Sequence, residues 1–275
     1  MKNILTFDIE EWYEVNYPGI DLSTLDTSKS DLEKEVQDIL AICERANAKA
    51  TFFVLGKVAE QKPDLVRLIQ SKGHEIASHG YDHKLVYELS PKEFKEDLQK
   101  SLSVLESITG KKIIGYRAPS WSIGEEFLKE YYEILESLGL QYSSSVYPAK
   151  TFLYGIPNFP SKIHHPEVKG KKMNILEIPV PVTRVLGKII GFSGGFYFRL
   201  FPKFFIERRI QQENKKGNPV FVYLHPREIN PAGPRLKLPL KQRCIHYWGV
   251  SQTRKKFENI LEKFEFGSIQ SVLLP

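Results

Sequence analysis

His79 and His83 stand four residues apart in Ser78-His79-Gly80-Tyr81-Asp82-His83, and Asp8 and Glu10 lie near the N-terminus. Two imidazoles and a carboxylate make the ligand set of an open divalent-metal site, because zinc sites that do chemistry typically use three protein ligands and leave a position for water. The histidine spacing is weak evidence alone, since on any helix such a pair shares one face. The flanking residues give it weight. Both halves follow short strand-like runs, Ile4-Leu5-Thr6-Phe7 and His74-Glu75-Ile76-Ala77, and catalytic groups in α/β folds gather at the C-terminal ends of strands. Alternation along a strand puts Asp8 and Glu10 on one side, so one can bind a metal while the other acts as a base. Two further strand ends carry suitable groups. Gly115-Tyr116-Arg117-Ala118-Pro119-Ser120-Trp121 sets an arginine before a rigid, aromatic-tipped turn, and Val222-Tyr223-Leu224-His225 sets a histidine at the edge of a late strand.

The elements that must position these groups alternate. Leu32, Val36, Ile39, Leu40 and Cys43 recur at helical spacing. Residues 50–54 read as a buried strand, 63–72 as a helix stopped at Gly73, and 74–78 as a strand. Ser90-Pro91-Lys92-Glu93 is a capping box with proline at the first helical position, and its helix ends near Gly110. Strand 112–116, helix 125–138 closed by Gly139, and strand 141–145 follow. This rhythm implies parallel strands wrapped by helices. From about 147 to 201 it breaks, with proline, glycine and aromatics dominant and one strand candidate at 174–178. It resumes with a helix at 202–214, the strand 219–224, a helix at 251–264 and a final strand at 268–273. The expectation is an α/β fold: a distorted, incomplete (β/α)7–8 barrel with parallel strands, formed by residues 1–275 as a single domain with an irregular insertion at about 147–201.

The 275 residues, 41% hydrophobic and 26% charged, supply ample core for one large domain or two small ones. The net charge is +6, with a pI of about 9.0, and the excess is spread over short lysine runs such as 169–172 and 215–216. That balance suits an anionic glycan, a phosphate-bearing lipid carrier or a membrane surface, although loops kept soluble by lysine are the simpler reading. No basic stripe interleaved with aromatics argues for nucleic acid. No signal peptide is visible and no apolar run approaches the ~20 residues of a membrane span. Cys43 and Cys244 have no metal-ligand spacing, and Cys43 sits in a helical apolar pattern as a core filler. The expected location is the cytoplasm, with peripheral association at the inner membrane surface allowed.

Four ordered motifs run from Asp8 to His225: Thr6-Phe7-Asp8-Ile9-Glu10, His79-Gly80-Tyr81-Asp82-His83, Arg117-Ala118-Pro119-Ser120-Trp121 and Tyr223-Leu224-His225. Together they resemble the polysaccharide deacetylases, the NodB-homology group of carbohydrate esterases. Gly194-Gly195-Phe196-Tyr197-Phe198-Arg199-Leu200, His225-Pro226-Arg227-Glu228 and His246-Tyr247-Trp248-Gly249 look like the subgroup found with exopolysaccharide biosynthesis, which makes about 225–275 a subgroup-specific C-terminal part. The resemblance implies one divalent metal ion, zinc first, with cobalt, nickel or manganese as alternatives. Glu10, His79 and His83 would hold it. Asp8 would be the general base, Arg117 the arginine that holds the base carboxylate, and His225 the general acid. Trp121 would wall the sugar groove, with Pro119, Tyr147 and Arg227 as further substrate contacts.

Three departures from the family pattern stand out. Asp8-Ile9-Glu10-Glu11 replaces adjacent aspartates, so Glu11 is an alternative metal ligand. Tyr142-Ser143-Ser144-Ser145 lacks the aspartate that can pair with the acid histidine, and Glu177 is the candidate replacement. Arg227 stands where an aromatic is common, which suits a charged substrate. The implied activity is metal-dependent removal of N-acetyl groups from amino sugars of a surface or extracellular polysaccharide or its precursor. Hydrolysis of a non-sugar amide or cyclic imide, and metal-dependent glycan binding without catalysis, are the alternatives. Of the remaining histidines, His74 reads as a structural strand residue and His164-His165 as an exposed loop. His246 reads as cleft lining or packing. The aromatic run 196–205 reads as cleft wall and core.

Overall fold

The computed structural model describes residues 1–17, 19–20, 25–151 and 154–274. It falls into two compact units. Met1–Phe52, Lys72–Glu75 and Phe192–Pro275 form the first, and Phe53–Ser71 with Ile76–Gly191 form the second.

In the first unit the strand Asn3–Ile9 is buried along its whole length. It pairs in parallel with Phe221–Leu224, in the register Phe7 to Leu224, and with Phe266–Gly267. Parallel strands are covered on both faces, which is why both runs are apolar rather than alternating. The Phe7 ring meets Phe52 at 5.0 Å and Phe257, from the helix Val250–Lys263, at 5.8 Å. The helix Leu32–Arg45 buries Leu32, Val36, Ile39, Leu40 and Cys43, the face its periodicity predicts. Burial pushes the Cys43 thiol up to about 12, so it packs as an inert small hydrophobe. His74 is structural, as expected: its Nδ1 accepts from Ala50 N at 3.1 Å, and burial, with Lys49 second, pushes its pKa down to about 4.

The second unit contains a parallel ladder in which Ser78 pairs with Tyr116, Gly115–Tyr116 with Tyr142–Ser143, and Tyr142–Ser143 with Leu176–Glu177. The Tyr142 ring lies over Gly115, where a Cβ would come within 1.9 Å of it, so only glycine fits. The capping box forms as read: Ser90 Oγ accepts from Glu93 N and Glu93 Oε2 from Ser90 N, and the helix Pro91–Thr109 closes on Gly110 at φ 64°.

Two expectations change. Residues 268–273 are not a strand. Strand Phe266–Gly267 precedes them, and Ile269–Leu273 is a helix whose cap, Ser268, accepts from Ser271 N through its hydroxyl. A short apolar run does not distinguish strand from helix by period, and here the serine cap decides. The stretch read as irregular contains an antiparallel hairpin, Val182–Val185 with Lys188–Gly191. Its two-residue turn is Leu186-Gly187, both at positive φ, the conformation that matches the twist of tight hairpins. No helix among the described residues is long and apolar enough to cross a membrane.

Candidate active site

In the first unit the register of two neighbouring strands delivers the chemistry. Asp8 follows Phe7 and His225 follows Leu224, the last pair of that register. His225 Nε2 lies 3.9 Å from Asp8 Oδ2 and 3.6 Å from Glu10 Oε1. His225 also caps the short 3-10 turn Pro226–Ile229, with proline at its first position. Glu228 Oε2 accepts from the His225 backbone N at 2.9 Å and lies 3.0 Å from its Nδ1. Burial opposes ionisation of Glu228, yet Arg199, His225 and Arg227 together hold its carboxyl well below the usual carboxylate range. An ionised carboxylate only accepts, so the proton of this contact is on His225 Nδ1 and the Nε2 edge faces Asp8 and Glu10.

Glu228 is itself anchored. Arg199 Nε donates to Glu228 Oε1 at 2.6 Å, with the two side chains 5% and 3% exposed. The remaining arms of Arg199 donate to Trp248 O and Ile245 O at 2.6 and 2.9 Å, at the C-terminal end of the helix Leu240–Tyr247. Arg199 is carried by the helix Gly195–Leu200, whose entry is shaped by Tyr223. A Cβ on Gly194 would lie 2.1 Å from that ring, and Gly195 is left-handed against it at φ 52°. The Tyr223 ring in turn stands edge-on to His225 at 6.4 Å.

Arg227, expected as a substrate contact, donates from Nη1 to Glu10 Oε1 at 2.5 Å. Its guanidinium thus engages a carboxylate of its own chain through one arm. His246, left open between cleft and packing, is buried, with its ring 4.7 Å from Tyr247 and 6.0 Å from Tyr17. Burial, then Arg227 and Arg199, push its pKa down to about 2, so it is neutral.

In the second unit His79 follows the last residue of the strand Glu75–Ser78. The two histidines sit on a loop, not a helix. Gly80 at φ 80° and His83 at φ 52° turn the chain, Tyr81 N donates to Asp97 Oδ2 at 2.8 Å, and the two rings lie 5.6 Å apart. Both histidines are buried. His79 Nδ1 is 2.8 Å from Arg117 O, a carbonyl that can only accept. That bond puts the proton on Nδ1 and leaves the Nε2 lone pair for a metal, the arrangement that metal-binding histidines adopt.

Arg117 is fully buried. It donates from Nη2 to Ser144 Oγ at 3.0 Å and from Nε to Ser144 O at 3.3 Å, and stacks 4.0 Å over Phe53. The turn after it holds Ser120 and Trp121 at positive φ, with Pro119 buried. Trp121, 7% exposed, packs 5.7 Å from Tyr154, and Tyr154 packs 5.5 Å from Tyr147. Tyr147 is buried and its hydroxyl accepts from Gly191 N, so it buttresses the aromatic cluster. Glu177 is also committed inside this unit. Its Oε1 accepts from Ser145 N and Val146 N, and its Oε2 from Tyr132 OH. Burial raises its pKa against these bonds. The expected pairing of Glu177 with His225 is therefore corrected: the carboxylate on His225 Nδ1 is Glu228. The readable signal was the His-Pro-x-Glu spacing, which puts proline at the first turn position and returns the glutamate carboxylate to the His225 backbone N.

A Mycobacterium smegmatis structure described as a polysaccharide deacetylase superposes with a TM-score of 0.61, at 19% identity, over 98% of this chain and 87% of that one. This likeness shows the expected α/β fold, the distorted, incomplete barrel of carbohydrate deacetylases. Residues 16–143 match the polysaccharide deacetylase family, so the chain carries a polysaccharide deacetylase domain of the NodB-homology type. Residues 144–274 match a domain of unknown function, DUF3473. A peptidoglycan deacetylase-like protein of Gibberella zeae is 30% identical over 142 residues, covering 48% of this chain and 41% of that protein. A peptidoglycan deacetylase of Helicobacter pylori is 27% identical over 158 residues, covering 54% and 53%. The chain thus spans about half the length of these curated relatives.

Proposed function

We propose that the protein is a metal-dependent hydrolase that removes N-acetyl groups from amino sugars of a surface or extracellular polysaccharide or its precursor. The observation that carries this reading is the His225 ring, fixed at Nδ1 by Glu228 and facing two carboxylates with Nε2. The match of residues 16–143 to the polysaccharide deacetylases supports the substrate class. Glu10, His79 and His83 are buried, offer one donor atom each, and would hold the divalent cation. Mixed imidazole and carboxylate ligands suit zinc first, and also cobalt, nickel or manganese. When bound, such a cation supplies a Lewis acid that polarises the acyl oxygen and acidifies water. Asp8 takes a proton from the attacking water, and Arg117 holds that carboxylate in position. His225 delivers a proton from Nε2 to the departing amine, which leaves poorly unless protonated. Pro119 and Trp121 shape the turn that contacts the sugar. The C-terminal motifs around Gly194, His225 and His246 favour an exopolysaccharide substrate.

Acetate release from N-acetylglucosamine oligomers, before and after chelation and with each metal restored, tests this. Release that stops with chelator and returns with zinc is expected. Hydrolysis confined to a non-sugar amide or cyclic imide would replace the substrate assignment. Metal-dependent glycan binding with no turnover would replace the enzyme with a binding protein.

A further inference from the structure

We infer that the segment matched only to a domain of unknown function supplies the proton-donating half of the site, with Arg199 and Glu228 as positioning residues that lock His225 in a single tautomer. The inference rests on the hydrolase reading above. Arg199, His225 and Glu228 all fall within residues 144–274. They form a directional chain. Two helix-end carbonyls fix the Arg199 guanidinium, its third arm fixes one oxygen of Glu228, and the other oxygen holds both the backbone N and the Nδ1 of His225. Capping the turn would need only the backbone bond. The Nδ1 contact and the buried arginine behind it exceed what a cap requires.

Each link removes a freedom. Arg199 uses Nε, Nη1 and Nη2 on three different acceptors, so it cannot swing without breaking all three. Glu228 is bound at both oxygens, so it cannot rotate to offer a different edge. His225 therefore cannot flip its ring, and Nε2, the atom that must carry the transferred proton, stays on the side of Asp8 and Glu10. A carboxylate that orients an imidazole acts through tautomer and direction, and imposing the wrong tautomer costs catalysis while leaving geometry intact. Here the orienting group lies three residues after the histidine itself. That solves the absence of a carboxylate at Ser143, whose hydroxyl instead bonds Tyr131 OH at 2.8 Å and Ser145 Oγ at 3.0 Å.

Glu228→Gln tests the chain, because an amide cannot accept from both Arg199 and His225 with one oxygen on each. Its NH2 group must face one of these two donors. We expect kcat on N-acetylglucosamine oligomers to fall about 10²–10⁴-fold with KM little changed. Nitrophenyl acetate, whose leaving group needs no proton, should be hydrolysed within about threefold of the wild-type rate. Arg199→Lys, which keeps the charge but not the planar fork, should give a smaller loss with the same selectivity. Nitrogen-15 NMR of His225 in the metal-free wild-type protein reads the tautomer without any turnover, and Nδ1–H is expected. A neutral ring protonated at Nε2 and bare at Nδ1, or equal losses on amide and ester, would overturn the positioning role. A wild-type protein that releases no acetate from any glycan yet shows the Nδ1–H ring would overturn the hydrolase reading and leave the positioning chain standing.

Discussion

The two units surround their functional side chains with opposite kinds of support. In the first, Asp8, Glu10, His225, Arg227, Glu228 and Arg199 form a network of ionisable side chains at hydrogen-bond or near-contact distance. In the second, Arg117 is held by the hydroxyl and carbonyl of Ser144 and an aromatic face, and the Ser143–Ser145 run by Tyr131, bonded to Ser143 and Ser145 at 2.8 and 2.7 Å, and by Glu177, whose pKa burial raises toward the neutral acid. A charged network suits groups that must gain and lose protons. A neutral one suits groups that must keep one protonation state while they hold something else. On the proposed function, the first unit would move protons and the second would grip the cation.

The largest effect should come from breaking the grip. His79→Ala or His83→Ala should abolish zinc retention, measured as bound metal per chain, and bring acetate release to background while leaving the melting temperature within a few degrees. A barrel this size draws its stability from its core rather than from one ion. Retained metal with normal turnover in either variant would remove the histidines from the ligand set.

Asp8→Asn comes next and sharpens the contrast from the other side. The amide cannot take a proton, so metal should stay bound while turnover falls by about 10²–10⁴-fold. Near-normal turnover at saturating metal would hand the base role to Glu11. Ser144→Ala should cost less. It removes one neutral acceptor from the buried Arg117, about 1.5–3 kcal/mol for a hydrogen bond to a charged group, read as a lower urea midpoint with kcat reduced only as far as Arg117 moves.

The smallest effect is on stability against pH, and two buried groups of the first unit pull in opposite directions. His74 has its pKa pushed down to about 4. Its neutral form contributes stability above the ordinary histidine value, and this is lost as pH falls from 6.5 toward 4. Glu35 has its pKa raised to about 7, by burial against the opposing bond from Asn230. Its protonated form contributes stability below 4.5, and this is lost as pH rises toward 7. Each slope is at most about 1.4 kcal/mol per pH unit. His74→Gln should flatten the acid arm of a melting-temperature profile, and Glu35→Gln should flatten the neutral arm. A His74→Gln profile parallel to wild type between pH 4 and 6.5 would show that the ring is not held neutral.

Much of this arrangement was readable from residue type and spacing. Asp8, His79, Arg117 and His225 each lie at or just after the C-terminal end of a strand, where the short apolar runs pointed. The parallel pairing of Asn3–Ile9 with Phe221–Leu224 follows from two apolar runs that need cover on both faces. What escaped was of two kinds. Glu228 was legible in principle, because its spacing from His225 repeats that of Glu93 from Ser90, but a histidine is an unusual cap and hides the likeness. Arg199 was not legible. Its acceptors are 29, 46 and 49 residues away, and no local period encodes a contact of that range. The hairpin over Leu186-Gly187 was hidden because a leucine that is 99% exposed reads as core material in a pattern.

The close approach of Tyr223 to Gly194 makes a hydrogen atom into a functional part. An alanine at 194 would take away no charge, donor or acceptor, yet its methyl would need the space the ring already fills. The helix that begins at the next residue carries Arg199, and the ring itself stands beside His225. One added carbon should therefore displace the supports of both Arg199 and His225 while every reactive group remained in the chain. Descendants of this sequence can lose activity by growing at that position, a silent route that an inventory of reactive side chains would miss.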